Sequence, residues 1–225
     1  ELAGKIDLVK MGLKQLRPLG WVISVSDGNK EIGSDTSSGK AFLGKLYYTP
    51  IDPLYLSVSY YDSGNLKGAA EMSIAGLTSI PSGGGGWKRK TWEVDARYDF
   101  GKGKKPLDPP AYSDSKSILR LSYGEFNDHA NKSRSGNFGF VDGIYNLTKK
   151  IYAAGRFSFV DLNGDGTATL NSVTANKYLR YSLGVGYRWS ENTIVKLGYD
   201  LNKNSGPGID DADDNLVSAI VTSQF

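Results

Sequence analysis

The last twelve residues, DNLVSAIVTSQF (Asp214–Phe225), constrain the fold more than any other stretch. They open polar, alternate through Val217, Ala219 and Val221, and finish on an aromatic residue. Alternation of period two marks a β-strand whose two faces meet different surroundings. Terminal strands of soluble proteins usually trail into polar residues. A strand that must pair to close a barrel has no spare tail. The bland alternative is an ordinary edge strand, so the rest of the chain has to decide.

Composition removes several classes. The chain has 225 residues and no cysteine, so neither a disulfide framework nor a thiolate metal site is available. Its single histidine, His129, rules out a multi-histidine zinc site. The net charge of +3 comes without a basic stripe carrying interleaved aromatics, so nucleic acid is not an expected partner. No apolar run approaches the roughly 18 residues of a membrane-spanning helix. The mean hydropathy of −0.37 says little about a membrane, because barrel strands alternate lipid-facing and lumen-facing residues. The chain opens at Glu1 without a Met or a signal peptide, which reads as a mature form or a fragment.

The terminal alternation recurs along the chain. In KAFLGKLYYTPIDPLYLSVSYYDSG, Phe42, Gly44, Leu46 and Tyr48 share a face, with Lys45 and Tyr47 opposite. Pro50 to Pro53 mark the turn, since two prolines cannot join a ladder. Leu54, Leu56, Val58 and Tyr60 then continue the apolar face. In TWEVDARYDF, Trp92, Val94, Ala96, Tyr98 and Phe100 oppose Glu93, Asp95, Arg97 and Asp99. Further strands are expected in SILRLSYGEF, GNFGFVDGIYNL, KIYAAGRFSFV, YLRYSLGVGYRW and TIVKLGYD. The connections alternate in length. Short turns are expected near Arg17 (RPLG), Asp52, Thr148 and Glu191, and longer loops near Lys30, Gly76, Ala130, Gly164 and Gly208. The connection near Pro106 is intermediate. In the loop Asp62–Lys88, AAEMSIAGLTSI is expected to form a short helix.

These features resemble bacterial outer-membrane barrels. GKLYYTPIDPLYLSVSYY resembles the repeating hairpin of Gram-negative porins, including the phosphate-selective and carbohydrate types. YLRYSLGVGYRWSENTIVKLGYDLN with the last strand is similar to their final hairpins, and Phe225 resembles their C-terminal aromatic signature. The resemblance implies an all-β, antiparallel, up-and-down transmembrane barrel in the bacterial outer membrane. It implies a lipid bilayer and lipopolysaccharide around the barrel, a homotrimeric assembly, and passive diffusion of small hydrophilic solutes. Short turns are periplasmic and long loops external in such barrels, which sets the C-terminus on the periplasmic side.

From Trp21 onward about ten strands are expected. Residues 1–19 are then an N-terminal strand or a periplasmic segment, and 20–225 the barrel. If Gly4–Leu16 is also a strand the count is odd. The chain would then be the C-terminal part of a porin of about 12 to 18 strands. A ten-stranded barrel is the alternative.

A charge facing lipid near the midplane costs about 2–4 kcal/mol, so charged residues should turn inward. The expected pore-lining set is Lys45, Glu93, Asp95, Arg97, Asp99, Arg120, Arg156, Arg180, Arg188 and Lys196, with Asp200. Arg97, Arg120, Arg156 and Arg180 are expected to form a basic ladder giving a modest anion preference, opposed by the acids, although solvated wall charge is the plainer reading. The 62–88 loop is expected either to constrict the lumen or to pack on the rim. DLNGDG offers Asp161, Asn163 and Asp165 as oxygen ligands in the manner of a calcium loop. However, position twelve would be Ser172, not a glutamate, so a polar hairpin loop is the commoner reading. No other cofactor is expected. Two other readings remain: a structural barrel scaffolding a partner protein, and a barrel hydrolase using His129 with Asp128. The chain holds no haem-binding motif and no G-x-S-x-G nucleophile, so an enzyme is not expected.

Overall fold

A computed structural model describes residues 1–7, 17–26, 40–65, 72–74, 77–79, 88–100, 117–129, 134–163, 168–170, 173–190, 192–206 and 215–223. These residues carry fifteen strands: β1 Leu2–Ile6, β2 Leu19–Ser26, β3 Ala41–Ile51, β4 Leu54–Asp62, β5 Met72–Ile74, β6 Leu77–Ser79, β7 Lys88–Asp99, β8 Ser117–His129, β9 Arg134–Asn146, β10 Ile151–Leu162, β11 Ala168–Leu170, β12 Val173–Ala175, β13 Lys177–Arg188, β14 Thr193–Ser205 and β15 Leu216–Ser223. Eleven of them form one sheet in the order β1-β2-β3-β4-β7-β8-β9-β10-β13-β14-β15, each antiparallel to its neighbours. This is the up-and-down meander expected from the alternation, with β1 and β15 as its edges.

The strands β7, β8, β9, β10, β13 and β14, of 12 or 13 residues, are long enough to cross a bilayer when tilted, for which about 9–11 residues suffice. The proline-containing hairpin is one of the few irregular places. The ladder shifts between Tyr48 and Ile51, and Pro50, which has no N–H to donate, lies within that shift.

Several local expectations are corrected. RPLG is not a turn by itself, because Leu19 and Gly20 already pair with Tyr48 and Tyr47 in β2–β3. The first described strand is Leu2–Ile6, and residues 8–16 of the expected Gly4–Leu16 strand lie outside the described residues. NDHANKSRSG is mostly strand: β8 continues to His129 and β9 resumes at Arg134, so this connection is short. The connection around Pro106, from Phe100 to Lys116, is among the longer ones although it lies at the short-turn end. MSI and LTS, expected as helix, instead pair as a ribbon, Met72 opposite Ser79 and Ile74 opposite Leu77. This ribbon lies against β11, which belongs to a second ribbon in the β10–β13 connection. Residues 66–71, 75–76 and 80–87 of the 62–88 loop, with Asp165 and Phe225, lie outside the described residues.

The sheet is polarised in the opposite sense to a soluble one. Its apolar face is the open one: Leu183 is 69% exposed, Val185 51% and Val221 68%. Its polar face is the covered one: Ser158 is 5% exposed, Asp142 6% and Asn202 3%. In water, apolar side chains collapse together and leave polar groups outside. An open apolar face and a covered polar one suit a sheet with lipid outside and water within. Aromatic rings gather on the outer face near the short-turn end, where Tyr98 meets Phe100 at 4.6 Å and Tyr187 meets Trp189 at 6.1 Å. Such rings suit a membrane–water boundary.

Candidate functional site

Strand register assigns every charged residue to a face. In the antiparallel ladders the directly opposed residues share a face. One register row runs Tyr55, Arg97, Arg120, Asp142, Arg156, Ser182, Asp200 across seven adjacent strands. The next runs Tyr47, Ser57, Asp95, Ser122, Phe140, Ser158, Arg180, Asn202. A third carries Lys45, Ser59, Glu93, Gly124 and Phe138. Arg188 follows Gly186 and Lys196 on the same face. All the strand charges expected to point inward therefore lie on the covered polar face.

What they touch is less uniform than a basic ladder. Arg97 makes a bidentate pair with Asp99, both bonds at 2.9 Å. Arg120 does the same with Asp142 at 2.7 and 2.9 Å. Lys45 lies 3.6 Å from Asp95, which also accepts a hydrogen bond from Ser57 at 2.8 Å. Ser122 donates to Glu93. Arg180 donates to the Asn202 carbonyl oxygen at 2.6 Å. Arg188 donates to Asn146 at 2.7 Å, with its guanidinium 4.9 Å from the Tyr152 ring. Tyr152 lies across Gly186, where an added Cβ would be 2.1 Å from the ring, so only glycine leaves it room. Arg156 stacks over Phe140 at 4.1 Å.

The expected ladder is thus interrupted. Asp142, not singled out from the sequence, sits between Arg120 and Arg156 in the row and neutralises Arg120. Arg180 is displaced one row, opposite Ser158. The acids Asp95 and Asp99 stand on the same strand as Arg97, not across from it. Among the described residues, Arg156, Lys196 and Asp200 form no ion pair. They line, together with the paired Arg120 and Asp142, a cavity of about 290 Å³ on the polar face.

The sequence also missed Arg89, and named Asp128 only as a neighbour of His129. Arg89 and Asp128 form a bidentate pair at 2.5 and 2.6 Å near the long-loop end of β7 and β8, each side chain 1% exposed. The guanidinium also lies 4.9 Å from the Phe126 ring. Asp128 and His129 are neighbours on one strand, so their side chains leave opposite faces, and Asp128 commits both oxygens to Arg89. Asp161 belongs to β10 and lies 3.6 Å from Lys177, while the Asn163 side chain donates to Ser135.

No protein-family model and no curated protein matches the sequence. Solved structures do match in fold. An anion-selective porin from Comamonas acidovorans superposes with a TM-score of 0.54 at 12% identity, over 92% of this chain and 51% of that one. The outer-membrane expressed OmpT of Vibrio cholerae gives 0.50 at 11% identity, over 84% and 67%. A trimer form of in-vitro folded OmpT gives 0.50 at 11% identity, over 89% and 62%. The chain thus spans between about half and two thirds of these proteins' lengths. At such identities the likeness establishes architecture alone: the chain folds as eleven antiparallel strands of an outer-membrane-type β-barrel.

Proposed function

We propose that the chain forms the wall of a porin-type channel in a bacterial outer membrane, through which small hydrophilic solutes diffuse with a modest preference for anions. The observation that carries this reading is the polarity of the sheet, with Leu183, Val185 and Val221 open on one face and charged rows covered on the other. The anion preference rests on Arg156, Arg180 and Lys196, inward cations that no carboxylate neutralises among the described residues. Arginine stays charged at any working pH, so such groups hold a fixed positive field that concentrates anions. The anion-selective porin among the structural neighbours supports the same direction. A trimeric assembly is part of the proposal and draws on the trimer form of OmpT.

Reconstitution into planar bilayers tests it. Stepwise conductance with a zero-current potential on the anion side of a salt gradient is expected. Silent bilayers would overturn the reading, and a potential on the cation side would overturn the preference.

A further inference from the structure

Toward the long-loop end the outward face turns from apolar to polar. One register row on that face runs Ile23, Gly44, Tyr60, Trp92, Glu125, Asn137 across six adjacent strands. In the next row toward the long loops, Lys90 stands opposite Asn127, and Asn127 opposite Ser135. The row on the other side is Val58, Val94, Tyr123, Gly139 and Phe159, with no charge in it. The boundary therefore passes through Tyr60 and Trp92, ring types that suit a membrane–water interface.

Two hollows meet at this boundary. One, of about 610 Å³, is apolar, with Ile23, Phe42, Leu46 and Val58 around Gly44. A Cβ on Gly44 would touch only the Phe42 ring, at 3.4 and 3.5 Å, so the hollow is open space above the glycine. The other, of about 480 Å³, is bordered by Lys90, Glu125, Asn127, Asn137 and Asn163. Tyr60 and Trp92 line both. Together they make one groove with an apolar end and a polar end. Gly44 on β3 and Asn127 on β8 are three strand spacings apart, about 14 Å across the sheet.

The polar end has the chemistry of a sugar site. The Trp92 indole N–H donates to Glu125 at 3.1 Å, which fixes a ring that stays exposed. An aromatic ring covers the C–H face of a sugar, while neighbouring amides both donate to and accept from its hydroxyls. Lys90 is exposed and forms no ion pair among the described residues, because Asp62 beside it pairs with Lys88 at 3.0 Å. Glu125 repels an anion, so a phosphate belongs at the Lys90 side of the groove.

We infer that this groove binds one phosphorylated glycolipid of the outer leaflet. Its acyl chains lie in the apolar end over Gly44, its sugar rests on Trp92 beside Asn127 and Asn137, and a phosphate meets Lys90. A glycerophospholipid fills the apolar end but brings no sugar ring to Trp92. The site depends on the outward face meeting lipid, and not on whether the barrel conducts.

The test titrates the refolded barrel in detergent micelles with bisphosphorylated lipid A, dephosphorylated lipid A and phosphatidylglycerol, counting retained lipid by native mass spectrometry. One lipid A per chain is expected, half-saturating about tenfold below phosphatidylglycerol. Lys90→Gln should weaken lipid A about tenfold and leave its dephosphorylated form unchanged. Trp92→Leu should weaken both forms roughly fivefold. Gly44→Leu, which fills the apolar end, should weaken all three lipids. Lys203→Gln, at an exposed cation on the outward face of β14, should change none. Lipid A held no tighter than phosphatidylglycerol would overturn the site. So would binding indifferent to both Trp92→Leu and Gly44→Leu, or a loss on Lys203→Gln equal to that on Lys90→Gln. A barrel that binds as expected yet leaves planar bilayers silent would overturn the channel reading alone.

Discussion

Asp142 accepts both forked hydrogen bonds of Arg120, at 2.7 and 2.9 Å, while standing directly opposite Arg156 in the register. One carboxylate thus sits between two guanidinium-bearing strands and neutralises one of them. The anion preference of the wall depends on this choice. Arg120 is silenced, and Arg156 keeps its charge against the Phe140 ring.

Replacing Asp142 with Asn should free Arg120 and strengthen the preference for anions. The anion-to-cation permeability ratio should rise roughly twofold at low salt, and the gain should shrink as salt is added. Arg156→Gln with Arg180→Gln should move the ratio the other way. The zero-current potential in a salt gradient reads both. A potential that ignores all three changes would mean that these rows do not border the conducting path.

Removing one member of the Arg89–Asp128 pair should be costly. Both side chains are buried at 1% exposure, and breaking such a pair leaves an uncompensated charge, worth about 3–5 kcal/mol. Asp128→Asn and Arg89→Met should each lower the urea midpoint of the refolded barrel clearly. The double variant Arg89→Met, Asp128→Leu should recover much of the loss. If either single variant is as stable as the parent, the pair is not a clamp between β7 and β8.

Gly139 should resist enlargement. It lies on the outer face opposite Tyr123 and Phe159, whose rings approach each other at 6.5 Å. A Cβ there would stand 2.6 Å from the Ser122 carbonyl oxygen and 2.9 Å from the Phe159 ring. Gly139→Ala should cost about 1–3 kcal/mol through this crowding. Gly143→Ala, whose nearest neighbour would be at 3.6 Å, should be tolerated. Equal effects at the two positions would contradict the packing described.

The sequence was readable where its alternation was clean. In LRYSLGVGYRW every second residue is large and apolar, and the intervening ones are small or basic, so Arg180 and Arg188 could be turned inward from spacing alone. The same held for Glu93 to Asp99. Asp142 escaped because GNFGFVDGIYNL has glycines on its outer face, at Gly139 and Gly143, which blur the period. Counting back in steps of two from Ile144 would have placed it with Phe140. Arg89 and its pairing with Asp128 escaped because strand ends look like loop in sequence: Asp128 falls within NDHANKS, and Arg89 follows a glycine run. Pairing itself lies beyond a face assignment. Whether Arg97 meets Asp99 or Glu93 depends on rotamers that alternation does not specify.

The central claim is that the covered polar face meets water and the open apolar face meets lipid. The absence of cysteine makes a direct measurement clean. Ser182→Cys and Leu183→Cys place one thiol on each face at adjacent positions of β13. After refolding into liposomes, each is offered a charged, water-soluble thiol reagent. Rapid labelling of Ser182→Cys is expected, with protection of Leu183→Cys until detergent is added. Labelling of Leu183→Cys with protection of Ser182→Cys would contradict the claim.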